Sequence, residues 1–369
     1  MSNIAKRPDG SWRARYRDTA GREHSKHHAR KVDAQRWLDE ATAGLVTGQW
    51  VDPRGGRMTF REYAEAWRAV QVHRPSSAAH VETMLRRHTY PVLDDLPLSS
   101  IGPSKVQAWV KGMTLAPSLV GVVHGIVAGI FRAAVRDRRI AMNPCEGTKL
   151  PRRLHARVEP LSLEQVVALT KAAPPAWRAA VVLGAGTGLR NGEMLGLTLD
   201  RIDFLRRTLL VDRQLVTVAG QPPAFGPPKT AASVRSIPLP TVVGEKLARH
   251  VKDHGTGPDG LLFVSPGGRP VTRTLFGHMW RPVVAAAKAP AGTGYHDLRH
   301  HYASLLIRHG ESVKTVQARL GHASAAETLD TYSHLWPDSD DRTRDAVQAA
   351  LGAALAASAD HLRTEEVIN

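Results

Sequence analysis

Four separated stretches of the sequence carry side chains suited to chemistry on an anion. TGLRNGEMLGL holds Arg190 and Glu193, one helical turn apart. PPKTAASVRSIPL puts Lys229 in a proline-rich turn between strands. In HDLRHHYASLL, Leu298, Tyr302, Leu305 and Leu306 make an apolar stripe, so His296 and Arg299, at i and i+3, share a face turned elsewhere. In LGHASAAETLDTYSH, Gly321 is placed to end a helix in the left-handed cap position, with His322 just beyond it. Ser324 and Glu327 form a capping box that starts the next helix, and Tyr332 lies about two turns in. Two arginines offer planar forks of donors that stay charged, which suits an oxyanion whose charge grows during attack. With a free pKa near 10, Tyr332 is only about one part in a thousand phenolate at neutral pH. It needs cationic neighbours or a base in order to react.

The elements that must position these groups belong to a chain of 369 residues, long enough for two or three domains. It is 42% hydrophobic, its formal net charge is +16, and its pI is about 10.4. A chain this basic meets a polyanion. Residues 1–57 carry +5, residues 58–157 carry +8 and residues 158–340 carry +5, while residues 341–369 carry −2. Each of the three main segments is therefore expected to touch the polyanion, unlike a neutral enzyme with a basic tail. The single cysteine, Cys145, excludes an intrachain disulfide and a two-cysteine metal site, and suits a reducing cytoplasm. MSNIAKRPDG lacks the apolar core of a signal peptide. The run LVGVVHGIVAGIF is interrupted by His124 and reads as short of a membrane span. The expectation is a cytoplasmic, nucleoid-associated protein with no membrane contact.

Residues 1–57 read as a small sheet plus a helix. Ile4–Arg7 is a strand, Pro8-Asp9-Gly10 a tight turn, and REHSKHH a later strand before the helical KVDAQRWLDE. In SWRARYR, Trp12, Ala14 and Tyr16 alternate with Arg13, Arg15 and Arg17, which puts three guanidinium groups on one face. That face is a solvated surface or a row of phosphate contacts, and the module's charge favours contacts. Residues 59–145 read as all helical, with Phe60, Tyr63, Trp67 and Val70 at helical spacing. A second helix covers Ser76–Tyr90, Ser104 caps a third, and a fourth runs Leu119–Arg139. At its end Arg136, Arg138 and Arg139 hold phosphates or simply complement the helix C-terminus. Residues 146–160 form a basic linker with Arg152 and Arg153, either part of a clamp round a duplex or a solvated tether. From Leu161 to Asp340 helices mix with a few strands. Ser162 caps SLEQVVALT, and RIDFLRRTLLVD and VRSIPLP read as strands. Residues 341–369 form a tail helix with Val347, Leu351 and Leu355 on one stripe, for its own domain or a neighbouring subunit.

In this order, the four stretches resemble the tyrosine recombinase or phage integrase family over roughly residues 160–340. That family presents an Arg, a hairpin Lys, His-x-x-Arg, a His after Leu-Gly, and a nucleophilic Tyr. Residues 1–57 look like its arm-type DNA-binding module and residues 59–145 like its helical, SAM-like core-binding domain. The fold implied is multidomain α+β. It comprises a three-stranded sheet plus helix, an all-helical domain, and a mainly helical catalytic domain with a small antiparallel sheet.

The activity implied is site-specific recombination for a phage or another integrative mobile element. Arg190, Lys229, His296, Arg299, His322 and Tyr332 would form the catalytic set. Tyr332 would attack a phosphodiester held by Arg190 and Arg299, with His296 as candidate base, His322 as a further donor, and Lys229 protonating the departing 5′-oxygen. The product is a 3′-phosphotyrosyl link, formed without metal, cofactor or ATP. Glu193 would orient Arg190, and His300 would be a structural or supporting donor. Arg235 touches DNA backbone or only pairs on a sheet surface. The resemblance also implies double-stranded DNA with core and arm sites, a homotetramer on that DNA, a host DNA-bending protein and a directionality factor.

Rival readings are weaker. His296 and His300 at i, i+4 suggest a metal pair, but HDLRH lacks the glutamate of the metalloprotease helix. GAGTGLR lacks the strand–turn–helix setting and the Lys-Ser or Lys-Thr of a phosphate loop. A type IB topoisomerase shares the chemistry, but the arm-like module and the LGH…Tyr segment argue against it. A non-catalytic DNA-binding protein would not be expected to keep all six groups.

Overall fold

The computed structural model describes residues 2–18, 21–46, 55–152, 157–218, 220–336, 340–352 and 355. The chain divides into two compact units, Met1–His155 and Ala156–Asn369.

The first unit opens with an antiparallel sheet of β1 (Asn3–Lys6), β2 (Trp12–Arg17) and β3 (Glu23–His28), in the order β1-β2-β3. The period of two on β2 sends Ala14 and Tyr16 into the core, where Tyr16 meets Leu38 of α1 (Lys31–Val46). Arg15 and Arg17 lie on the exposed side, and Arg13 is half-buried. The helical part follows as α2 (Phe60–Val70), α3 (Pro75–Met84), α4 (Tyr90–Leu93), α5 (Pro103–Lys111) and α6 (Pro117–Arg136). Phe60, Leu85, Leu93, Ile130 and Phe131 form the centre of its core.

Four expectations change here. The second helix, read as Ser76–Tyr90, starts at Pro75 and passes through a π turn, Leu85–Thr89, into α4. The cap of α5 is Gly102 and not Ser104, because Pro103 fills the first helical position, where its missing N–H costs nothing. The helix read as Leu119–Arg139 stops at Arg136, since Arg138 adopts a left-handed φ of 56°. Finally, α6 is longer than a short apolar run: it has 20 residues and a mean hydropathy of 1.8, enough to cross a membrane by length and composition. Its Val120, Val123, Val127, Ile130 and Phe131 are spent on the core of the unit, which explains the apolar composition.

The second unit is built on α7 (Leu163–Ala172), α8 (Pro175–Thr187) and α9 (Asn191–Leu195). The Ser162 hydroxyl accepts from the Gln165 N–H, and the Gln165 side chain accepts from the Ser162 N–H, which fixes the start of α7. Then come β4 (Ile202–Asp203), β5 (Thr208–Val211), β6 (Gln214–Val216), β7 (Ala224–Gly226) and β8 (Arg235–Pro238). The stretch RIDFLRRTLLVD is thus a hairpin and not one strand; Arg207, with φ 51°, turns the chain between β4 and β5. Strands order as β4-β5-β8, with β6-β7 as a separate antiparallel pair. The remaining helices are α10 (Thr241–His254), α11 (Arg273–Ala286), α12 (Tyr295–Arg308), α13 (Val313–Leu320), α14 (Ala325–Tyr332) and α15 (Asp340–Val347). Leu183, Leu189, Met194, Leu209, Ile237 and Leu298 make one core. In the tail, Val347, Leu351 and Leu355 are all exposed, and residues 356–369 lie outside the described residues.

Candidate active site

Two glycines aim the site. Gly188 ends α8 in the left-handed region at φ 65°, and a Cβ there would lie 2.5 Å from the Tyr302 ring. The turn leaves Arg190 extended at the head of α9, one turn from Glu193. Gly321 ends α13 in the same conformation, also at φ 65°, and delivers His322. The half-box at α14 differs slightly from expectation. Ser324 accepts from the Glu327 N–H, but the Glu327 carboxylate returns to Ala323 N–H.

Glu193 is an organiser buried beneath the site, only 4% exposed. Its carboxylate accepts from Arg190 N–H at 3.0 Å and Arg190 Nη1 at 3.0 Å. Arg235 grips the same carboxylate with both fork nitrogens, at 2.9 and 3.2 Å. Burial alone would raise the Glu193 carboxyl; Arg235 and Arg190 outweigh it and hold the group below the usual carboxylate range. Arg235 also donates Nε to Arg319 O at 2.8 Å and Nη1 to Ser233 O at 2.9 Å. It is 8% exposed. Of the two roles the sequence left open for Arg235, DNA contact or pairing on a sheet surface, the structure shows pairing, inside the protein and with Glu193.

Arg299 is 1% exposed and donates to Gly188 O at 2.9 Å and Leu320 O at 2.7 Å. Burial and then the charge of Arg190 lower its guanidinium to about 9, so it stays charged at neutral pH. Arg190 donates Nη2 to Gly321 O at 3.1 Å and Nη1 to Ser233 Oγ at 3.3 Å. Both arginines therefore rest on backbone carbonyls that cap the ends of α8 and α13.

Tyr332, the last residue of α14, is 1% exposed. Its hydroxyl lies 2.8 Å from His300 Nδ1. The His322 ring runs nearly parallel to the phenol, at 10° and a centroid separation of 6.4 Å, with Nδ1 on Thr328 Oγ1 at 2.8 Å. Burial pushes the phenol up to about 12, while Arg299 pulls the other way. Burial, then Arg299, pushes His322 down to about 4. His300 is lowered too, first by burial. His296 sits one turn before His300, edge to face at 4.7 Å, with its outer side exposed. Desolvation among its neighbours, then His300 and Arg299, lowers it to about 4. The sequence makes His296 the candidate base and His300 a structural or supporting donor; in the structure the phenol hydroxyl bonds to His300, one turn beyond His296. Helix α12 packs so that the turn bearing His300 faces α14.

Lys229 is exposed on the turn between β7 and β8. Arg13 pairs with Glu23 at 3.2 Å and Arg15 with the same carboxylate at 3.8 Å, while Arg17 donates to Gly21 O. Arg136, Arg138 and Arg152 are exposed, Arg139 is half-buried, and Arg153 lies outside the described residues. Two hydroxyls were missed by sequence reasoning, Ser233 and Thr328. Thr328 stands one turn before Tyr332, so helical spacing signals it; the Thr-x-x-Ser pattern after Lys229 signals Ser233 as a turn former. Among the described residues, no three His, Cys, Asp or Glu side chains group so as to hold a metal ion.

Residues 159–338, the stretch that holds every group around Tyr332, match the Phage integrase family. These residues are a phage integrase domain. The phiRv2 prophage integrase of Mycobacterium tuberculosis is 29% identical over 338 residues, covering 88% of this chain and 89% of that protein. The Tn1549 transposon integrase, solved with a circular intermediate DNA, is 25% identical with a TM-score of 0.69, covering 79% of this chain and 99% of that one. The lambda integrase tetramer bound to a Holliday junction shares the fold at a TM-score of 0.57 and 19% identity, covering 88% and 96%.

In this phage integrase domain, the His300 contact gives a direct comparison. His300→Ala should lower the rate of covalent adduct formation on DNA by about 10²-fold, the scale of one positioned acid–base group. His296→Ala should lower it less. Single-turnover adduct formation checks this, and a larger loss in His296→Ala would return the role to His296.

The histidines also set a pH dependence. His322, held near 4 against an ordinary 6.5, takes up its proton less readily folded than unfolded. Its contribution is whole above about 6.5 and is lost as pH falls toward about 4. His300 and the buried His301, with Nδ1 on Leu161 O, act in the same direction. Glu193 adds a further loss below the ordinary carboxylate value of 4.5. The urea midpoint of the second unit should thus be lower at pH 5 than at pH 7. A midpoint independent of pH across that range would contradict the assignment.

Proposed function

We propose that this chain is a site-specific DNA recombinase that integrates a phage or other mobile element through a 3′-phosphotyrosyl intermediate. The observation that carries the reading is the enclosure of the Tyr332 hydroxyl against His300, beside His322 and within the field of Arg299 and Arg190. A scissile phosphate oxygen, more negative than a peptide carbonyl, competes for the Arg190 and Arg299 forks now resting on Gly188, Leu320 and Gly321. Tyr332 gives its proton to His300 and forms the O–P bond, and Lys229 protonates the departing 5′-oxygen. The phosphotyrosyl link conserves the energy of the broken bond, so rejoining draws on no nucleotide.

Arg13, Arg15, Arg17, Arg136, Arg138 and Arg152 are the exposed or half-buried cations proposed to hold DNA phosphates, and working copies assemble as tetramers on two duplexes. The test is to trap covalent protein–DNA adducts in cells carrying the element and sequence the attached DNA. Adducts at one short locus support the recombinase. Adducts scattered over the genome would indicate DNA relaxation without site choice, and no adduct from DNA-bound protein would remove the catalytic reading.

A further inference from the structure

Three parts of the candidate site converge on one small side chain. Ser233 is 1% exposed and ends the short 3-10 turn, Ala231–Ser233, that follows Lys229. Its Oγ lies 3.0 Å from Thr230 Oγ1, 3.3 Å from Arg190 Nη1 and 3.5 Å from Gly321 O. A hydroxyl has one proton to give and two lone pairs to receive. The arginine can only donate and the carbonyl can only accept. The consistent assignment is therefore that Ser233 accepts from Arg190 and Thr230 and donates to Gly321 O, with every valence used. Thr230 is the neighbour of Lys229 in the chain, and Gly321 is the neighbour of His322.

We infer that Ser233 is a positioning residue that latches the Lys229 turn to the Arg190 fork and to the turn bearing His322, so that the proton donor is set against the same phosphate the arginines bind. The inference rests on the recombinase reading and names a residue that acts through Lys229. Lys229 itself makes the exposed end of the device. Without the latch, the ammonium group is a flexible, fully hydrated charge on a surface turn, with a wide range of positions. With it, the turn keeps a fixed relation to Arg190. The step served is the breaking of the P–O5′ bond: Tyr332 Oη forms a bond to phosphorus, the 5′-oxygen leaves with the bonding pair, and Lys229 supplies its proton.

A duplex with sulfur in place of the bridging 5′-oxygen isolates that step, because a thiolate leaves without being protonated. The substrate is the locus recovered from wild-type adducts, made in oxygen and sulfur forms, and cleaved by full-length protein. Ser233→Ala and Thr230→Val should slow cleavage of the oxygen duplex by about 10- to 100-fold, the effect of a reacting group held slightly out of line. Both should cleave the sulfur duplex at the wild-type rate and bind either duplex as wild type does. Thr230→Ser, which keeps the hydroxyl, should restore cleavage of the oxygen duplex. Thr230 is only partly buried, so Thr230→Val and Thr230→Ser carry the test if Ser233→Ala folds poorly. Equal slowing on both duplexes, or no slowing on either, would overturn the inference. Failure of the underlying reading is seen separately: wild-type protein would then give no Tyr332 adduct on either duplex.

Discussion

Tyr332→Phe is expected to bind duplex DNA as wild type does and to form no covalent adduct. The phenyl ring fills the same enclosed space beside Val316 and Leu320, so the fold keeps its packing. What is lost is one hydroxyl and its bond to His300, worth about 0.5–1.5 kcal/mol of stability. The chemical loss is far larger. No other side chain stands where the phenol stands, and removing the nucleophile of a covalent mechanism should cost roughly 10⁴-fold or more in rate. Gel shift and a denaturing gel for adducts measure the two effects independently. An adduct formed by Tyr332→Phe at near the wild-type rate would assign the nucleophile elsewhere. Tyr332→Ala is a poorer experiment, because emptying this site should cost about 3–5 kcal/mol in packing and confuse folding with chemistry.

The second large effect is expected from Glu193→Ala. This removes the counter-charge of two guanidinium groups, one of them the almost fully buried Arg235. Breaking a buried pair from one side leaves an uncompensated charge and should cost roughly 3–5 kcal/mol. For a unit of this size that lowers the melting temperature by roughly 10 °C. Adduct formation should fall as well, because Arg190 loses both the bond to its fork and the cap on its N–H. Pairing the change with Arg235→Met, which removes the stranded charge, should recover part of the stability but not the cleavage rate. A loss below about 1 kcal/mol in Glu193→Ala would mean that water reaches the cluster and the charges are not held apart from solvent.

Much of the site was legible because its members are local. Arg190 and Glu193 are one turn apart, His296 and Arg299 share a helix, and Leu-Gly-His announces a helix end followed by a free histidine. The αL glycine and the Ser324 cap follow from short-range backbone chemistry, and both are present. What was not legible depends on contacts distant in sequence. Arg235 reads as a surface arginine on a strand until its partner, 42 residues earlier, is found beneath it. The choice between His296 and His300 depends on how α12 rolls against α14, and no spacing within HDLRHH fixes that. The arginines of the first unit show the same division. Alternation along β2 told which face is exposed, but not that Arg13 and Arg15 share Glu23 from the neighbouring strand. In the helical part, capping chemistry misplaced the start of α5 because a proline at the first position competes with a serine one place on.

Helix α14 has only eight residues, too few to hold a helix by itself in water, and two of its side chains, Thr328 and Tyr332, are buried. The group proposed to attack DNA is thus also one of the two pegs that pin its own helix. Thr328, the other peg, also holds the His322 ring through its hydroxyl. The anchoring of this short segment and its proposed chemistry therefore rest on the same two side chains, and neither can be altered alone.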